Sequence, residues 1–543
     1  MALAIGVYLI QKLLLYTLDM NWEEGRDAQA YLRVMQGKMP YRDFRWNYGP
    51  LSPYVFAGAF SLFGPSLAVL RLTAIAAGAL GVGAAYFVSR RMMPAGWAFI
   101  AAVFSMLLFH TPTHTYNHIF ATVGALLSML LVLKCVEENR SISAAWAGSV
   151  IGVSILTKPL PMGGANFVAA SVALAFRSRR VPRDLSALAW GTGAVVLPVA
   201  AALLAVVPVR NLEPALFGSA SQVFGPWRYP NPLPFVREAF LEAWRHSPWA
   251  FYDAVLALFN AVVSWLPVVT PLLACACLVR ATARETERSG VIALSVLAPL
   301  LFVQPLLQGG SGATGYLGDG YTHAPAWILA AYLGSRLVAS LRAHGTVARV
   351  AASGLVGGLV LAAWVIPYFP QYLNVMRELP DDHPLAMRAL PLSVPRAAGI
   401  RIGAKLLVED VVGFIQAHVD PSEPIVFMHY NPMFLFLSER ESLFPEDDYI
   451  FIRAGASAVV PWPGPSPAAA ELIIERLRDR RPRFIFVQSM DYSPSRAGQS
   501  EVWRYIERAY VPIKTFGASD FTEEMDLRRP SVRVYALKEP PGQ

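Results

Sequence analysis

The sequence predicts a polytopic α-helical membrane protein of about eleven spans with a carboxy-terminal α/β domain outside the cytoplasm, and three observations carry that prediction. Of 543 residues, 55% are hydrophobic and 15% charged, with a mean hydropathy of +0.41, so several apolar runs are longer than a soluble core uses. The shortage of charge is confined to the first two thirds, and the remainder has ordinary composition. Lys and Arg gather in short turns between apolar runs, at Arg90/Arg91, Lys134/Arg140, Arg177/Arg179/Arg180/Arg183, Arg280/Arg284/Arg288 and Arg336/Arg342/Arg349. That is the pattern of inward-facing membrane loops. It accounts for the net charge of +8 without a nucleic-acid surface, and the composition excludes an ordinary cytosolic enzyme.

A span needs about 20 apolar residues, fewer where the bilayer thins. This template places runs at 2–18, 66–88, 95–110, 119–135, 145–157, 160–176, 187–208, 253–279, 291–307, 324–340 and 350–367. The first run lacks a basic start and a small-residue cleavage pattern before Asp19, so it reads as a retained anchor and not a signal peptide. Its brevity and Lys12 leave room for a start upstream of Met1. The stretch 145–176 reads as a hairpin broken at Lys158-Pro159-Leu160-Pro161, because a single helix would put the basic clusters on opposite sides.

With the amino terminus inside, the outer face receives the first loop 19–65, the turn 111–118, Lys158, the interfacial stretch 209–252, the loop 308–323 and all that follows Pro367. The domains are therefore a membrane part, 1–367, and an extracytoplasmic α/β part, 368–543. In the latter, strand candidates 424–429, 449–452, 483–488 and 531–537 alternate with helix candidates 404–418, 467–480 and 500–509. Cys135, Cys275 and Cys277 all lie in or beside apolar runs, so the outer part holds no disulfide.

The first outer loop is the densest carboxylate cluster beside any span. Asn21 followed by Glu24 is a capping-box pattern, and Gly37 is placed to close the helix between them. Glu23, Glu24 and Asp27 share one side of its first turn, where they repel one another unless a cation compensates. A carboxylate at a partly dry membrane edge is suited to take a proton from a hydroxyl; acids also simply favour a helix amino terminus. Downstream, residues 37–51 interleave aromatic and charged side chains, with Pro40-Tyr41-Arg42-Asp43-Phe44 and Gly49-Pro50-Leu51, and then come Phe63-Gly64-Pro65-Ser66 and Arg71.

In these residues the sequence resembles the polyprenyl-phosphate-sugar-dependent membrane glycosyltransferases of the GT-C fold, the superfamily of protein O-mannosyltransferases and lipid A aminoarabinose transferase. Their acidic pair, glycine, Pro-Tyr-x-Asp-Phe segment, Pro-Leu turn, Phe-Gly-x-Ser and arginine all occur here in order. Thr157-Lys158, Tyr321-Thr322-His323-Ala324-Pro325 and, in the outer part, residues 420–426 and Ser438-Glu439-Arg440 are similar to further family segments. One departure is that Glu23 stands where family members commonly have Asp.

The resemblance implies inverting transfer of a sugar from a polyprenyl-phosphate donor to an extracytoplasmic acceptor, a glycan, lipid or protein of the cell envelope, in a bacterial inner membrane. Glu23 and Glu24 are then the candidates for the base, with Asp27 and Asp43 in support. Lys158, His323, Arg71 and Arg228 are the candidates for the donor phosphate. Lys158 is costly between two apolar runs unless it pairs or reaches water, and its alternative role is that of a snorkelling interface lysine. Arg71 is equally a structural partner for the first-loop acids.

His110, His114 and His118 stand four apart, an acceptable metal spacing on a helix, but Pro112 and Asn117 argue against regular helix there. They are candidates for hydrogen bonding to substrate or for a divalent metal shared with the acidic loop. The glycine-rich loop 308–320 lacks a preceding strand and a P-loop lysine, which excludes a nucleotide loop and leaves a donor-ordered loop with Asp319 as a hydrogen-bonding group. Aromatics and arginines of 209–252 describe interfacial anchoring or the way in for a polyprenyl chain. The rival class is a transporter or lipid flippase, which favours internal repeats and midplane polar groups; here the polar groups concentrate at one face. A third reading is a non-catalytic scaffold for envelope assembly.

Overall fold

The computed structural model describes residues 1–15, 22–107, 116–212, 266–278, 285–307, 323–341, 354, 390–402, 405–428, 433–445, 450–454, 466–488, 500–517 and 531–538. The expectations placed on 213–252 and 308–322, and most of the run 350–367, lie outside these residues. The described chain divides into two compact units: one of Met1–Tyr16, Trp46–Ser52 and Leu72–Arg377, the other of Thr17–Arg45, Pro53–Arg71 and Glu378–Gln543.

The first unit is helical. Its elements are α1 (Ala2–Leu15) and, after α2 (Trp22–Met35) and α3 (Leu51–Phe63), the greater part of α4 (Leu67–Arg90), then α5 (Ala95–Leu107), α6 (Tyr116–Glu138), α7 (Ser141–Thr157), α8 (Gly164–Arg177) and α9 (Val181–Val206). Its last described elements of known range are α10 (Leu266–Leu278), α11 (Glu285–Leu307) and α12 (Ala324–Leu341). Among the described residues α4, α6 and α9 are long and apolar enough to cross a membrane, and shorter apolar helices include α1, α5, α7, α8 and α10. The break foreseen at Lys158 is real: Lys158 leaves helical geometry at φ −145°, a π-helical turn spans Pro159–Gly163, and Gly163 returns against the backbone of Ile155. Pro159 and Pro161 remove two backbone donors there, which is why α7 cannot simply continue.

Apolar side chains do not drive helices together inside lipid, so close backbone approach matters more. Gly148 and Gly152 form a small-residue stripe on α7 that receives α9. A Cβ on Gly148 would collide with the carbonyl of Leu188, and one on Gly191 with that of Ala145. Thr192 Oγ1 donates across the seam to the Gly148 carbonyl at 3.1 Å. Similar polar ties join α6 to α8, where Ser128 Oγ donates to Asn166 at 2.9 Å.

The second unit contains α2, most of α3 and a four-stranded sheet. After a short ribbon, β1 (Leu390–Pro391) with β2 (Arg401–Ile402), come α13 (Lys405–His418), β3 (Val426–Met428), α14 (Met433–Ser438), α15 (Ile450–Arg453), α16 (Pro467–Arg480), β4 (Phe484–Gln488), α17 (Glu501–Ala509), β5 (Tyr510–Phe516) and β6 (Val532–Leu537). The strand order is β3-β4-β6-β5, parallel between β3 and β4 and antiparallel elsewhere. Central β4 is buried throughout, as a strand covered on both faces must be. Ile485 and Val487 pack with Ile473, Leu477, Trp503 and Ile506, while Phe484 and Phe486 on the opposite face meet Phe414 and Phe427 at ring separations of 5.5 to 6.2 Å.

Two expectations are corrected here. Of the expected strand 449–452, the described residues 450–452 are helical: Ile450–Arg453 is a helical turn whose Ile450 and Phe451 enter the core, since a short apolar run carries no period that separates helix from strand. The strand β5 was not foreseen, because Pro512 and its exposed middle, the mark of an edge strand, hide the alternation.

The α7–α9 seam predicts that Gly148→Val will cost about 1–3 kcal/mol by overpacking, read as a lowered unfolding midpoint in detergent. Gly58→Ala, at a helical glycine whose added Cβ would meet nothing within 4 Å, is expected to leave the midpoint unchanged or raise it slightly.

Candidate active site

The acidic helix α2 is polar in sequence yet buried from Glu24 to Val34. Gly25 permits this, for a Cβ there would stand 2.5 Å from the backbone of Met433 at the start of α14. The helix ends as its glycine suggests: Gly37 takes φ +85°, its N–H donates to the Val34 carbonyl and that of Lys38 to Arg33. This double bond pattern satisfies carbonyls that a helix end leaves bare.

Every described charge on α2 is matched. Arg71 donates from Nε and Nη2 to the two oxygens of Glu24, both at 2.7 Å, with both side chains fully buried. Arg26 grips Asp27 Oδ1 through Nε and Nη2 at 3.0 and 2.9 Å, and Tyr31 approaches Oδ2 at 3.4 Å. Arg33, completely buried, donates to Glu441 Oε1 at 3.0 and 2.7 Å, and Lys38 to Glu441 Oε2 at 2.7 Å. Burial by itself would raise the Glu441 carboxyl, but Arg33 and Lys38 overcome it and hold the group below the ordinary range. Glu23 lies on α2, and its side chain is outside the described residues.

Asp43 serves its own turn. Its Oδ2 accepts from the Met39 N–H at 2.7 Å and Arg42 donates to both oxygens at 2.9 and 2.8 Å. The bond from Arg42 lowers its pKa, against a smaller effect of burial. Tyr41 at φ +66° lets the Pro40–Phe44 turn close.

A second polar cluster sits in the first unit. Gly49 donates to the Thr157 carbonyl at 2.9 Å and accepts from the Trp46 indole at 3.0 Å, pinning the 46–50 segment to the end of α7. A Cβ on Gly49 would strike the Leu156 carbonyl. Tyr48 is thereby held with the buried Lys158 ammonium 5.4 Å from its ring centre, within cation–π range, and the buried His118 ring edge-on at 6.5 Å. Ser52 bonds the neighbouring Asn117 through Oδ1, while Asn117 Nδ2 is buried with no hydrogen-bond partner. His323 is also buried, at the start of α12.

Of the residues singled out from sequence, the structure brings Glu24 to Arg71 and His118 and Lys158 to Tyr48. Arg228, Asp319, His110 and His114 lie outside the described residues. Among those described, no three of His, Cys, Asp or Glu gather as a metal-binding group. Tyr48, Asn117 and Glu441 were not singled out as site residues. An aromatic run beside a basic turn hints at Tyr48, but nothing local announces a partner for Arg33 that is 408 residues away.

Residues 47–205 match a family model described as dolichyl-phosphate-mannose-protein mannosyltransferase. No curated protein matches the chain in sequence. Among solved structures, the archaeal oligosaccharyltransferase AglB from Archaeoglobus fulgidus, in complex with an inhibitory peptide and a dolichol-phosphate, is similar with a TM-score of 0.54 at 13% identity, over 100% of this chain and 74% of that one. ArnT from Cupriavidus metallidurans, bound to undecaprenyl phosphate, gives 0.53 at 16% identity, over 98% of this chain and 97% of that one. The resemblance drawn from the first loop is thus met independently, and the chain is an integral membrane protein with the fold of the GT-C glycosyltransferases.

Two outcomes follow from the buried charges. Glu24→Gln removes the buried carboxylate that pairs with Arg71 and should destabilise the protein by about 3–5 kcal/mol, whereas Glu24→Leu with Arg71→Met recovers much of it, as thermal unfolding in detergent will register. The lowered Glu441 carboxyl contributes stability that is complete above the ordinary range near pH 4 and lost as pH falls through its folded value. Amide protection at residues 33–38, corrected for intrinsic exchange, should therefore hold from pH 7 to 5 and fall only under stronger acid.

Proposed function

We propose that this chain transfers a sugar, with inversion, from a polyprenyl-phosphate-linked donor to an acceptor hydroxyl outside the cytoplasm of a bacterial cell, with the carboxy-terminal α/β part on that side of the inner membrane. What supports the reading is the GT-C fold together with the family match over 47–205. The observation that carries the assignment of roles is the buried pairing of Glu24 with Arg71.

A base must have an oxygen open to the incoming hydroxyl. The Glu24 side chain is completely buried with both oxygens held by Arg71, so we assign the base to Glu23, the other member of the acidic pair. Arg71 becomes a structural partner and not a phosphate ligand, and Asp27 and Asp43 keep Arg26 and the Pro40–Phe44 turn in place. The acceptor oxygen bonds to the anomeric carbon as its proton passes to Glu23. The bond from that carbon to the phosphate oxygen breaks, and the lipid phosphate leaves with the electron pair. Lys158, poised over Tyr48, is assigned to the phosphate charge, and the unpartnered Asn117 amide, with His118, to polar groups of the donor sugar.

Membranes containing the protein should release lipid phosphate from a panel of labelled polyprenyl-phosphate mannose, glucose, galactose and arabinose donors. Loss of general-base catalysis in Glu23→Gln should slow transfer by about 10²–10⁴-fold with unchanged unfolding temperature. Lys158→Met should weaken the reaction and its salt sensitivity together. A wild-type protein inert toward every donor, or a fully active Glu23→Gln, refutes the reading.

A further inference from the structure

We infer that Glu441 is a positioning residue for transfer, a clamp through which the carboxy-terminal α/β part sets the placement of the acid-bearing helix α2. The inference rests on the reading that α2 carries the base. The clamp has a fixed geometry. One carboxylate oxygen takes both Arg33 donors at 3.0 and 2.7 Å, and the other takes Lys38 at 2.7 Å. Arg33 belongs to the last turn of α2 and Lys38 follows its closing glycine, so a single side chain holds the helix end and the strand of chain leaving it.

The surroundings make that grip stiff. Arg33 is completely buried and lies over Phe44 at 5.6 Å, leaving its planar fork one orientation. Glu441 itself is anchored through the backbone on both sides: Ile425 donates to the Glu441 carbonyl at 3.0 Å, Leu443 to the Ile425 carbonyl at 2.9 Å, and the buried Gln29 of α2 reaches the Arg440 carbonyl at 3.4 Å. Ile425 leads directly into β3, so the clamp is fastened to the sheet. At its other end α2 is seated by Gly25 on Met433 of α14.

Contacts at its two ends tie α2 to the carboxy-terminal α/β part, Gly25 on Met433 and Arg33 with Lys38 on Glu441, and of these two only the Glu441 clamp is ionic. The Gly25–Met433 seat fixes the start of α2, where Glu23 and Glu24 stand, while the Glu441 clamp fixes the far end and hence its direction. A carboxylate misplaced by about 1 Å is enough to cost a large part of catalysis. Removing the charge at Glu441 while keeping its shape should therefore slow the chemical step without altering how the donor is held. Arg33 would lose the Glu441 charge while remaining buried, and α2 would be freed to shift.

The test uses the full chain in lipid nanodiscs and compares Glu441→Gln, the milder Lys38→Met, and Glu439→Gln as a control at a carboxylate that is 54% exposed. Hydrogen exchange needs no substrate. In Glu441→Gln the amides of α2 should exchange at least about tenfold faster while β4 stays protected; Lys38→Met should shift them in the same direction by less, and Glu439→Gln not at all. On whichever donor of the panel the wild-type protein turns over, kcat should fall by about tenfold or more with donor KM unchanged. Unaltered exchange in α2, a rise in KM at constant kcat, or a loosened α2 with full kcat would each overturn the clamp. A wild-type protein inert toward the panel would instead refute the glycosyl-transfer reading, and the exchange measurement would still decide whether Glu441 holds α2.

Discussion

Charge taken out of water must be matched, and the placement of α2 depends on that constraint. A helix with Glu24, Arg26, Asp27 and Arg33 along it would ordinarily lie on a surface. Here it is buried, and each of these groups meets an opposite charge within hydrogen-bonding distance. Desolvation of an ion costs several kcal/mol even after relaxation, so these pairs do little to raise net stability. What they do is make one arrangement far better than its neighbours, because displacing α2 would break the Glu24–Arg71 and Arg33–Glu441 pairs together. Such a device specifies position more than it adds strength.

The helical unit meets the opposite problem. Its surfaces are apolar and exchange lipid for helix at little gain, so contact depends on shape and on a few polar ties. The glycine seam of α7 and α9, Thr192 to Gly148 and Ser128 to Asn166 supply these. Where α7 stops at Lys158, the interrupted helix frees backbone groups, and one of them, the Thr157 carbonyl, takes the Gly49 N–H. The same interruption places a buried lysine where aromatic Tyr48 accommodates it. A broken span and a polar cluster therefore share one cause.

These two kinds of order suit group transfer at a membrane. The reaction proposed needs a base whose position does not drift and a cation in a place of low dielectric, where its field on a phosphate is strongest. Charge pairing provides the first, and a helix break inside an apolar unit provides the second.

Much of this was legible along the chain because it is local. Apolar length marked the helical runs, Pro159 and Pro161 marked the break, and Gly37 marked the end of α2, each through rules acting over a few residues. The strand β5 and the turn Ile450–Arg453 escaped for the reason that short or edge segments carry too little period to read. By itself the sequence determined a multi-span membrane protein with an acidic first loop and an α/β tail. Only the tertiary structure decided that Glu24 belongs to Arg71, 47 positions on, and Arg33 to Glu441, 408 positions on. A charge's partner is chosen by distance in space, and any of the chain's many opposite charges would have satisfied the sequence equally well.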